Sequence, residues 1–101
     1  MADGRFHKSR FLVSETQFRT AEQSIGKALN RKAGGYDCVA LYQKLHYMAD
    51  ALGQMKEHLE NWEASNVIVD DRYAAQKSVY MAETTLTSLR KKFKARCVKV
   101  N

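Results

Sequence analysis

The side chains able to do chemistry in this chain are few, and their spacing works against it. His46 and His58 lie twelve residues apart. At about 3.6 residues per turn, that turns them roughly 120° away from each other around a helix axis, so they share no ligand. His46 and Asp50, one turn apart, do fall on one face, but two ligands are short of a zinc site and the pair reads as exposed surface. Cys38 and Cys97 are too few for a disulfide framework or a four-ligand metal centre. Cys38 falls on an apolar seam as a small core residue, and Cys97 sits among cations as an incidental thiol. If the chain folds up-down-up, both cysteines approach one pole, where an oxidising setting would let them pair. Their scarcity otherwise favours an intracellular, reduced location, and the cytoplasm is expected.

Carboxylates fare no better as catalysts. Glu60 and Glu63 lie on a solvated helix surface, and Asp70-Asp71 reads as a capping pair. Gly34-Gly35 lacks the following lysine and further glycines of a phosphate-cradling loop. No catalytic group, metal or cofactor is expected, and the chain does not read as an enzyme.

The cations are the more informative chemistry. Seventeen lysines and arginines face eleven acids, a formal charge of +6. Residues 1–36 carry seven bases and three acids, residues 37–83 four bases and eight acids, and residues 84–101 six bases and no acid. Charge of this distribution attracts nucleic acid or an acidic protein surface. Cations in a last helical turn are favoured by the helix dipole, but that effect fades within a turn. It does not explain six bases in ten residues.

Three helices must position these charges. The chain has no proline and five glycines, so little besides Gly34-Gly35 interrupts helix propagation. Met1 to Val13 reads as a flexible basic arm. Ser14, with Gln17 three residues on, resembles a capping box, and Phe18, Ala21, Ile25, Ala28 and Leu29 follow at helical spacing. The first helix is thus expected over about 14–32, shorter than the others. Asp37 caps a second helix, about 38–64. Its apolar residues Cys38, Leu41, Leu45, Met48, Leu52, Met55, Leu59 and Trp62 alternate steps of three and four, an unbroken heptad seam. Val67 to Val69 break the pattern, Val69 is placed to staple onto Ala74, and Asp70 or Asp71 caps a third helix, about 70–96. There Ala75, Val79, Ala82, Leu86, Leu89 and Phe93 continue the spacing until Arg96 ends it.

The expected fold is all-α: an antiparallel three-helix bundle in which the two long helices pack like a coiled coil. Residues 14–101 form its single domain, and residues 1–13 the arm. Up-down-up topology brings Lys27, Arg31 and Lys32 beside Arg90, Lys91, Lys92, Lys94, Arg96 and Lys99 at one pole, with Arg5, Lys8 and Arg10 of the arm as auxiliary contacts. The opposite pole gathers Glu57, Glu60, Glu63, Asp70, Asp71, Glu15 and Glu22.

A non-enzymatic binding protein contacting nucleic-acid phosphates, or a nucleoprotein, is the leading expectation. The competing one is a protein-interaction module: a small inhibitor, adaptor or assembly subunit, of the kind common among phage and viral accessory factors. Tyr47, Tyr73, Tyr80 and Met81, all off the seams, would form its interface unless the first helix covers them. Long seams and leftover aromatics favour a homodimer or a subunit of a complex. No segment approaches the ~20 apolar residues needed to cross a bilayer, and the N-terminus lacks the apolar run of a secretory signal.

Overall fold

The computed structural model describes residues 4–29, 38–64 and 72–97. They form α1 (Gly4–Leu29), α2 (Cys38–Ala64) and α3 (Arg72–Cys97), and no strand occurs among the described residues. The three pack as an all-α antiparallel bundle, drawn out to 52 × 18 × 17 Å. The interhelix capping candidates Asp37, Asp70 and Asp71, the staple residue Val69, and the Gly34-Gly35 stop lie outside the described residues.

Heptad spacing explains the core. In α2, Leu41, Leu45, Met48, Leu52, Met55, Leu59 and Trp62 are buried, joined by Ala51 on the same stripe. In α3 the buried set is Ala75, Val79, Ala82, Leu86 and Leu89, with Phe93 half-buried at the end. Residues at alternating three- and four-residue steps share one helix face, and burying that face is what holds such helices together. α2 is the central rod. Its pairing with α1 is closer and longer than its pairing with α3, and α1 touches α3 only sparingly. The tightest partnership is therefore α1 with α2, rather than the α2 and α3 pair expected from the two long seams.

α1 corrects the expected arm and the short first helix. It starts at Gly4 and is 26 residues long, as long as α3. Phe11 is only 2 % exposed, and its ring lies 6.3 Å from that of Trp62, itself 1 % exposed. The reason is a polar residue hidden in the seam. Phe11, Ser14, Phe18, Ala21 and Ile25 run at steps of three and four, and all five are buried. Ser14 is no helix cap. Its hydroxyl donates to the Arg10 carbonyl at 3.0 Å and faces Gln54 Oε1 at 3.4 Å, so a mid-helix serine is satisfied inside the core.

Polar links also join the helices. Ser78 of α3 donates to Glu15 of α1. Lys44 of α2 donates to Ser24 at 2.6 Å, and Lys56 pairs with Glu83 at 3.0 Å with both side chains about half exposed. An exposed pair of this kind contributes at most about 1 kcal/mol.

Candidate functional site

Four contacts fix the direction of the rods. At one pole, Arg96 of α3 donates through Nη1 to the carbonyl of Leu29, the last described residue of α1, at 2.6 Å. At the same pole Cys38, which opens α2, is disulfide-bonded to Cys97, which closes α3, with Cα atoms 5.7 Å apart. At the far pole His7 and Phe11 of α1 lie against His58 and Trp62 of α2. α1 and α3 therefore finish side by side.

The pole shared by those two ends is basic. Lys27, Arg90, Lys91, Lys92, Lys94 and Arg96 are all exposed there. α3 carries seven bases (Arg72, Lys77, Arg90, Lys91, Lys92, Lys94, Arg96) against Glu83 alone, so it holds a charge equal to the net +6 of the chain. Not every cation is available to a partner, because the Arg96 guanidinium already donates to the Leu29 carbonyl in the last turn of α1. Arg31, Lys32 and Lys99 lie outside the described residues.

Arg5, Lys8 and Arg10 do not join this surface, which corrects their expected role. They occupy the first turns of α1, and a helix rises about 1.5 Å per residue, so they stand more than ~25 Å from the far end. Lys8 is half-buried and lines a crevice with Phe11 and Trp62, while the Arg10 guanidinium lies 5.6 Å from the Phe6 ring centre. Lys8 and Arg10 belong to the end of α1 that meets the last turns of α2, the stretch carrying Glu57, Glu60 and Glu63. They dilute the acidic pole that their assignment to an arm had left intact.

The off-seam aromatics stay uncovered. Tyr73 is 78 % exposed, Tyr80 71 %, and Tyr47 and Met81 are also in the open. α1 leaves all four exposed, although Met81 and the neighbouring Lys77 line a crevice together with Glu15, Phe18, Arg19 and Glu22 of α1.

Two clusters were not anticipated, because each joins residues distant in sequence. His7 and His58 bring their Nδ1 atoms to 3.5 Å across the α1–α2 interface. Near the basic pole, Tyr42 and His46 of α2 meet Phe93 of α3, with ring centres 5.6 Å and 6.2 Å from Tyr42. The local signal for the second was legible: Tyr42 and His46 are one turn apart, and Arg90 and Lys94 are one turn apart around Phe93. Among the described residues no three of His, Cys, Asp and Glu come together as a metal site, and no helix is long and apolar enough to cross a membrane.

Comparison with protein-family models, with curated proteins and with solved structures finds no match to this chain.

Proposed function

We propose that this chain is a non-enzymatic protein that binds nucleic-acid phosphates, free or in a nucleoprotein, through the basic pole where α1 and α3 end. The observation that carries this reading is the Arg96–Leu29 contact, which pools the α1 and α3 cations instead of scattering them along a 52 Å rod. Five bases over the last two turns of α3 are more than a helix dipole favours, and they have no carboxylate of their own helix nearby. No residue cluster on α3 offers the bidentate Asn, Gln or Arg reading of base edges in a groove, so the contact is to the backbone and tolerant of sequence.

A salt series tests it. Gel shifts on single- and double-stranded DNA and RNA should show complexes at ~50 mM salt. Their log-log slope should be about −4, as expected when four or five phosphates are neutralised. No retardation at that salt ends the proposal.

A second reading is favoured by one observation, the exposure of Tyr47, Tyr73, Tyr80 and Met81. It makes the chain a protein-interaction module, with a small inhibitor, adaptor or phage-type accessory factor as examples, or a homodimer. Binding of that kind would resist salt and be lost on Tyr→Ala changes. The state of the Cys38–Cys97 bond follows the compartment. The cytoplasmic location expected from cysteine scarcity opens it, and an oxidising compartment keeps it closed.

A further inference from the structure

We infer that the crevice between α2 and α3 at the basic pole is a seat for one unpaired nucleobase with its phosphate, so that the protein prefers single strands. This deepens the phosphate-binding reading and rests on it. The crevice has a volume of about 320 Å³ and is lined by Tyr42, Leu45, His46, Arg90, Phe93 and Lys94. Its composition points to one ligand chemistry. Three rings converge on it, two cations flank Phe93 one helical turn apart, and no carboxylate lines it among the described residues.

The rings do not satisfy one another by stacking. Tyr42 meets His46 nearly edge-on at 67° and Phe93 tilted at 40°, and Tyr42 remains 55 % exposed. A planar, electron-poor group can therefore lie on Tyr42 while an attached anion reaches Arg90 or Lys94. Every base has a π-face, so such a seat is tolerant of sequence. Bases inside a duplex are already stacked and paired and cannot enter it. A duplex is held by the cations alone. Asp50, one turn beyond His46, lies outside the lining.

The experiment uses the full chain with its disulfide closed, and follows fluorescence anisotropy of a labelled oligo(dT) and of a duplex of equal length. Tyr42→Ala should weaken single-strand binding about tenfold, within the range measured for one lost stacking contact, and leave duplex affinity and the salt slope unchanged. Tyr42→Phe should behave as wild type. Lys94→Ala should weaken both ligands and reduce the slope by about one.

As a check independent of any variant, photo-crosslinking of an oligonucleotide carrying 4-thiothymidine to the wild-type chain should label the peptides holding Tyr42 or Phe93. Equal losses for both ligands on Tyr42→Ala, no loss for either, or crosslinks confined to other peptides would overturn the base seat while leaving the phosphate surface standing. Absence of binding to either ligand removes both proposals. Capture of an acidic peptide in place of nucleic acid at the same residues also overturns the base seat.

Discussion

Phe11 carries the clearest residue-scale test. A side chain in a flexible arm could be removed at no cost, whereas one buried against Trp62 cannot. Phe11→Ala should lower stability by about 3–4 kcal/mol, the usual cost of an emptied aromatic site in a core. Urea denaturation followed by the emission of Trp62, the chain's one tryptophan, would measure it. An unchanged midpoint would restore the arm. Arg96 makes a smaller contribution of another kind. Arg96→Ala leaves the Leu29 carbonyl without its charged donor, which should cost about 1 kcal/mol given the exposure of the side chain. Lys92→Ala, exposed and equal in charge change, should leave stability unaltered. Comparing the two in thermal melts separates the capping role of Arg96 from its charge.

At the scale of the element, α3 is the helix least tied to the rest. Beyond Leu89 its attachment is Phe93, the Arg96 cap and the disulfide, while Arg90, Lys91, Lys92, Lys94 and Arg96 repel one another along those two turns. The Cys38–Cys97 bond spans a separation of 59 residues, and the chain-entropy relation assigns a cross-link of that reach about 4 kcal/mol. Reduction, or the double change Cys38→Ser and Cys97→Ser, should therefore destabilise the bundle by up to that amount. It should also speed amide exchange first in residues 90–97. Exchange that rises uniformly over all three helices, or not at all, would show that the staple does not hold the basic turns.

For the whole molecule the decisive property is asymmetry of charge along a rod. One pole is cationic among the described residues, where α3 ends in Arg90, Lys91, Lys92, Lys94 and Arg96. The other brings the α2 turns of Glu57, Glu60 and Glu63 together with the α1 turns of Lys8 and Arg10. Reversing Lys91 and Lys92 to glutamate should weaken nucleic-acid binding far more than reversing Lys8 and Arg10, at equal change in net charge. Titrations of the two double variants at one salt concentration make the comparison, and equal losses would mean that only net charge matters. The uncovered Tyr73 and Tyr80 bear on assembly. An exposed aromatic stripe favours a two-fold pairing, so light scattering after size exclusion should give twice 11.6 kDa at high concentration and a monomer for Tyr80→Ala. A monomeric wild-type chain would sink the dimer.

Periodicity alone determined that this chain is helical, where α2 and α3 run to within two residues, and most of their buried residues, because a heptad of apolar side chains has one way to leave water. Ala51 is buried off the expected seam, and Cys38 and Phe93 on it are only half-buried. Periodicity failed at Ser14, whose hydroxyl looks like a cap in sequence but bonds back to the Arg10 carbonyl within a helix that starts ten residues earlier. Charge counting found the cations of α3 but misassigned Arg5, Lys8 and Arg10, since an arm reaches either pole and a helix only one. The joining of Cys38 to Cys97, the meeting of His7 with His58, and the crevice of Tyr42, His46 and Phe93 required tertiary structure. Each depends on which helix faces which and at what height, and that is decided by the summed packing of three seams, not by any local run of residues.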